Sequence, residues 1–245
     1  MVQKTAAGRL GSAVCADQLC MQASDGRAGS SARREYERRR DRRQREDASQ
    51  PRLARIAHLA GRSPSTQRRA RGESWLVGAE GEEFLGPYLE SRCPKVALLH
   101  ACRMPKSRGD IDHIAVAPSG VYVIDTKRYR GKVEVRKPLF GHPALRIAGR
   151  DRTKLLAGLA RQVAAVNDTI GHLDPVIPVH GCLCFVAPRG LLADSGIPPV
   201  RTLTINGYDL LYPRRLAKRL NRAGPLTTAQ AHGLHANLAR SFPPA

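Results

Sequence analysis

Residues Val121–Lys127 read VYVIDTK, and residues Ile111–Ala117 before them read IDHIAVA. Between them stand Pro118, Ser119 and Gly120, a composition that reverses the chain tightly. The two segments are therefore the arms of a hairpin. Side chains alternate faces along a strand. Val121, Val123, Asp125 and Lys127 share one face; Tyr122, Ile124 and Thr126 share the other. An apolar strand that ends in an acid and a lysine on one face is costly unless both reach solvent or a site. The turn lies at the far end of the hairpin. Asp112, which begins the first arm, and Asp110 before it thus meet Asp125 and Lys127 at the open end.

Working outward, a helix is predicted from Ser74 to about Arg92. Its apolar stripe is Val77, Gly81, Phe84, Leu85, Tyr88 and Leu89. Glu82 falls about 90° from the centre of that stripe, at ~100° per residue. From that edge it could add a carboxylate to the same cleft. Val96–His100, Gly131–Arg136, Leu145–Ala148, Pro178–Val186 and Arg201–Ile205 read as strands. Asp151–Ile170, Tyr208–Asn221 and Thr227–Ser241 read as helices. This order predicts an α/β or α+β sandwich, with helices around a mixed central sheet.

The chain has 245 residues, room for one sizeable domain and extras at roughly 100–200 residues per domain. It carries 41 Lys and Arg against 21 Asp and Glu, a net +20 that favours polyanions, nucleic acid first and anionic membrane second. Residues 1–72 hold 17 of the basic and 7 of the acidic residues, half the excess in under a third of the chain. Within them, RREYERRRDRRQRED at Arg33–Asp47 has too little apolar surface to fold alone. Its Glu and Arg could still pair along a solvated helix. Arg52–Ala60 is a short amphipathic helix candidate, and 61–72 a basic linker. The expected layout is a largely disordered basic arm at 1–72, a domain at 73–190, and a strand with helices at 191–245 that packs on or extends it. Met21 is an alternative start. No stretch approaches the ~18 apolar residues of a membrane helix, nor is there a signal-peptide core, so a cytoplasmic location is expected. The six cysteines show no CxxC spacing, which argues against a zinc ribbon.

Converging carboxylates beside a lysine suit phosphodiester hydrolysis. That reaction needs hard oxygen ligands for Mg²⁺, charge neutralisation at the phosphate, and an activated water. The competing reading of Asp125 and Lys127 alone is a strand-end ion pair worth at most about 1 kcal/mol. The combined spacing favours the site.

The segments GAEGE at Gly78–Glu82, DIDHI at Asp110–Ile114 and PSGVYVIDTK at Pro118–Lys127, with Gly131 after them, resemble the nuclease-related domain family. The resemblance spans roughly Trp75–Pro188. It implies the restriction-endonuclease-like PD-(D/E)xK fold, with Asp112 and Asp125 as the two acids and Lys127 as the lysine. Ile111 stands where the literal motif has Pro. It further implies Mg²⁺, with Mn²⁺ as a substitute, on Asp112 and Asp125 with help from the Thr126 carbonyl. Glu82 would serve a second metal or its water, and Lys127 would orient water and phosphate. Gln162 and Asp110 are accessory candidates. The expected activity is DNA hydrolysis in a processing or repair-like role, with DNA ahead of RNA. A catalytically silent nucleic-acid-binding module on the same fold is the alternative.

Arg128, Tyr129 and Arg130 are candidate nucleic-acid contacts, as phosphate donors around a stacking ring. Arg214, Arg215, Lys218, Arg219 and Arg222 form a second basic patch. His113 is expected in packing and His232 and His235 at the surface. Cys182 and Cys184 are expected to be buried on one strand face.

Overall fold

The computed structural model of the chain describes residues 26–49, 64–107, 109–172, 176–187 and 202–245. The alternative start at Met21 and the helix expected at 52–60 lie outside these residues. Five helices are described: α1 (Ser30–Ser49), α2 (Pro64–Arg92), α3 (Lys154–Gly171), α4 (Pro213–Leu220) and α5 (Thr228–Ser241). The strands are β1 (Ala97–Arg103), β2 (Asp110–Ala117), β3 (Gly120–Lys127), β4 (Val133–Arg136), β5 (Ala144–Ile147), β6 (Arg150–Asp151), β7 (Val179–Phe185), β8 (Leu203–Ile205) and β9 (Tyr208–Leu211). Among them no helix is long and apolar enough to cross a membrane.

Six strands form one mixed sheet in the order β1-β2-β3-β7-β9-β8. β1 pairs antiparallel with β2 and β2 with β3, and the hairpin turns where it was expected, pairing Ala117 with Gly120. Gly120 has φ +130°, and an added Cβ would meet the Pro178 carbonyl oxygen at 2.6 Å, so only glycine closes this turn without strain. β3 then pairs parallel with β7, and β7 parallel with β9. A parallel neighbour requires a crossover. Here it contains the small antiparallel sheet β4-β5-β6 and then α3.

Both faces of the sheet are covered, which explains why β2 and β3 are apolar nearly throughout. One core packs Val121, Val123 and Leu183 against Leu159 and Val166 of α3 and Leu234 and Leu238 of α5. The other packs Ile124, Cys182 and Cys184 against Leu85 and Leu89 of α2 and Leu216 and Leu220 of α4. The fold is a mixed α/β sandwich, as expected.

Three expectations need correction. Residues 208–211 form a strand between β7 and β8, before α4, where one helix was predicted over 208–221. The Leu210-Leu211 pair is buried in both readings, so burial could not separate them. Residues 64–72, read as linker, are the start of α2. They lack an apolar stripe, although Gln, Arg and Ala favour helix intrinsically. Finally, the stripe on α2 is rotated from its predicted position. Val77 and Phe84 are exposed, whereas Ala79, Glu82, Leu85 and Leu89 are buried.

Part of the arm is a docked helix. Glu35 pairs with Arg38 and Arg39, and Arg42 with Glu46, along α1. The N-terminal end of α1 rests on α2. Ala28 and Ala32 are buried there, and the Ala28 methyl lies 2.5 Å from where a Cβ on Gly86 would stand. Arg33 donates two hydrogen bonds to Glu83, at 2.5 and 2.6 Å. The segment has too few apolar residues to fold alone, but two alanines suffice once α2 supplies the partner surface.

Candidate active site

The β2–β3 ladder runs from Ala117↔Gly120 to His113↔Ile124 and stops. The next pair in register would be Asp112 and Asp125. Instead the strands separate, and the Asp112 Oδ2 accepts the Thr126 backbone N–H at 2.7 Å. A side-chain carboxylate thus takes the role that a main-chain oxygen plays along the rest of the hairpin. Asp112 is half-buried and Asp125 buried.

Lys127 pairs with Asp125, one alternation away on the same face, and also donates to the Thr126 carbonyl oxygen at 3.2 Å. Burial works against its ammonium, but the charges of Asp125 and Asp112 outweigh burial and raise Lys127 above the usual lysine range. Lys127 is therefore a fixed cation at neutral pH and no general base.

Glu82 lies on the face of α2 that packs against the sheet, and it is 7% exposed. Burial pushes its carboxyl up to about 7, with Asp125 and Asp110 reinforcing and Lys127 opposing. Burial also holds Asp112 well above the usual carboxylate range, reinforced by Glu82 and Asp125. Three acids and one ammonium leave the cluster short of positive charge. Burial is the main cause of both raised values, and the neighbouring acids add to it.

A divalent cation would relieve the shortage of positive charge. Among the described residues, no group of three or more His, Cys, Asp or Glu side chains is arranged to hold a metal ion. Mg²⁺ does not require such a cage. It is commonly held by one or two carboxylates, with waters and substrate oxygens completing the octahedron. Asp112, Asp125 and the Thr126 carbonyl meet that requirement in kind. Among the described residues, Gln162 Oε1 and Thr126 Oγ1 are buried without hydrogen-bond partners. The donor set fits the ion.

Gln162 reaches the site from α3, where its Nε2 donates to the Asp110 carbonyl oxygen at 3.0 Å. It anchors the start of β2 two residues before Asp112. Asp110 itself is raised by burial and opposed by a hydrogen bond from Ser31 and by the charges of Arg103 and Arg34. These three neighbours had no sequence signal, because their approach depends on where β1 and α1 dock.

The other candidates are dispersed. Arg128 pairs with Glu80 on α2. Tyr129 packs against the core under Arg152, whose guanidinium lies 5.5 Å from the ring centre. Arg130 is exposed. Arg219 pairs with Asp209 at 2.8 Å, while Arg214, Lys218 and Arg222 are exposed. Cys182 and Cys184 are buried, as expected. His235, expected at the surface, is buried, with Nε2 3.3 Å from the Leu98 carbonyl oxygen. His113 is fully buried. Its Nδ1 lies 2.7 Å from Nδ1 of His100, whose Nε2 lies 3.1 Å from Glu90.

Residues 77–186 match the model of the nuclease-related domain family, NERD. No curated protein and no solved structure matches the chain.

Proposed function

From the match of residues 77–186 to the nuclease-related domain family, which implies the PD-(D/E)xK fold, we propose that the protein is a Mg²⁺-dependent nuclease that hydrolyses phosphodiester bonds in DNA. The observation that carries this reading is the convergence of Asp112, Asp125, Lys127 and Glu82 where β2 and β3 separate, with two of the acids raised by burial beside further acids.

Asp112, Asp125 and the Thr126 carbonyl would hold the cation. When bound, it would polarise the phosphoryl oxygens and make water more acidic. Lys127, charged throughout the neutral range, places its ammonium against the anionic phosphate and offsets the charge that grows on it. Glu82, with a carboxyl near 7, can accept or release a proton at neutral pH. Gln162 fixes the main chain at Asp110, which keeps Asp112 in register with Asp125. The net +20 charge draws the polyanion to the site.

The test is cleavage of plasmid and labelled oligonucleotides with Mg²⁺, Mn²⁺ or EDTA, comparing wild type with Asp125→Ala and Lys127→Ala purified identically. Metal-dependent cutting lost in both variants supports the nuclease. Cutting that persists in both assigns it to a contaminant or another site. One observation favours a second reading, a silent nucleic-acid-binding module: Asp125 is already neutralised by Lys127. Salt-sensitive binding without cutting, indifferent to both substitutions, would select it.

A further inference from the structure

The docked α1 helix does more than lengthen the molecule. Between it, the end of β1 and Trp75 of α2 lies an open cleft of about 550 Å³, which Asp110 also lines. Arg34, Arg38 and Arg39 line it from α1, and Arg103 lines it from β1. Arg38 and Arg103 are exposed. The wall is completed by Trp75, 39% exposed, with the Arg39 guanidinium 5.1 Å from its ring centre. Four arginines from two elements thus line the cleft with two acids, Glu35 and Asp110, and Arg34 donates to the Ala245 carbonyl oxygen. Glu35 is engaged in holding Arg38 and Arg39.

The contents of this cleft are the two things an unpaired polynucleotide strand uses. Guanidinium groups bind successive phosphates in a fork geometry. An indole layered with a guanidinium offers a flat surface on which a base can stack whatever its identity. Asp110, which lines the cleft, stands two residues before Asp112. The geometry points to a single-stranded nucleic-acid channel, walled by α1 and leading to the catalytic acids. This inference rests on the nuclease reading for its direction, since the strand it holds would be the substrate. A duplex presents its bases already stacked and offers nothing to Trp75.

The chain contains one tryptophan, so its fluorescence reports this cleft alone. The full chain is titrated in EDTA with a short oligothymidylate, with a duplex of equal length, and with inorganic phosphate. Saturable quenching by the single strand, and little by the other two, is expected. Arg38→Ala and Arg103→Ala should each weaken binding several-fold, and each should lower the slope of log affinity against log salt by about 0.7. Hydrolysis of bis(p-nitrophenyl) phosphate, too small to span the cleft, is followed in parallel on wild type. Matching melting temperatures exclude misfolding, and Arg38, solvent-exposed on α1, provides a variant that leaves the core intact. Quenching indifferent to both substitutions, or equal quenching by the duplex, overturns the channel. Absence of small-diester hydrolysis by wild type, with strand binding intact, overturns the nuclease reading and leaves the channel standing.

Discussion

Asp112 and Thr126 are joined by a hydrogen bond of 2.7 Å at the point where their strands part. The same carboxylate is therefore both a candidate metal ligand and the acceptor that closes the end of the hairpin. These roles can be separated by substitution. Asp112→Asn keeps an acceptor and removes a charge that Glu82 and Asp125 repel. Asp112→Ala leaves the Thr126 N–H unpaired, at a cost of about 1–3 kcal/mol. Urea unfolding should show the alanine variant destabilised by that amount and the asparagine variant at or above wild type. Nuclease activity should be lost in both.

Glu82 gives the metal-free protein a distinctive pH dependence. Its folded-state value of about 7 lies above the ordinary 4.5, so the folded state binds the extra proton between those values. The associated stability is fully present below pH 4.5 and is lost as pH rises through 7. The loss is at most about 3 kcal/mol. His113, held well below 6.5 by burial and then by His100, acts in the opposite sense and loses stability as pH falls below 6.5. The difference between Glu82→Gln and wild type isolates the first effect. In EDTA, the variant's advantage in urea unfolding should grow from pH 5 to pH 8. A flat difference would show that Glu82 is not perturbed.

Divalent metal should reverse that trend. Millimolar Mg²⁺ or Mn²⁺ should raise the melting temperature by several degrees at pH 8, where the acids are ionised, and by less at pH 5.5. Asp125→Asn should abolish the increase. A metal response that survives this substitution would place the ion elsewhere.

The seat of α1 on α2 can be tested without touching the site. Gly86→Leu would drive a side chain into the space that Ala28 fills, an overpacking that costs about 1–3 kcal/mol. Glu83→Ala removes only the Arg33 pair, worth about 0.2–1 kcal/mol at this exposure. Limited trypsinolysis should therefore release the arginine-rich arm fastest from the Gly86 variant, at an intermediate rate from the Glu83 variant, and slowest from wild type. The core's melting temperature should change least in the Glu83 variant.

The hairpin and its acids were legible because a strand's two-residue period is local. Val121 to Lys127 reveal their faces without knowledge of the rest of the chain. Glu82 was assigned to the right helix but to the stripe's edge. Phe84 and Val77 drew the expected stripe toward themselves, and only the sheet and α1 show that the buried side is centred on Glu82 and Leu85. The cleft under α1 was illegible for a different reason. Arg34, Arg38 and Arg103 are ordinary charged residues in sequence, and their meeting depends on Ala28 docking beside Gly86. The parallel pairing of β7 with both β3 and β9 depends on a crossover and left no local trace.

The Pro118–Ser119 turn also has a bearing on descent. Five steps along β2 separate Asp112 from Ala117, and five along β3 separate Gly120 from Asp125. The two acids face each other because these counts are equal. A single inserted residue in either arm would throw one acid to the opposite side of the sheet, whereas matched insertions in both would lengthen the hairpin and leave the acids opposed. Any lineage that keeps this chemistry should vary the hairpin only in balanced steps, so the symmetry of the two arms, more than the identity of their apolar residues, is the heritable signature of the site.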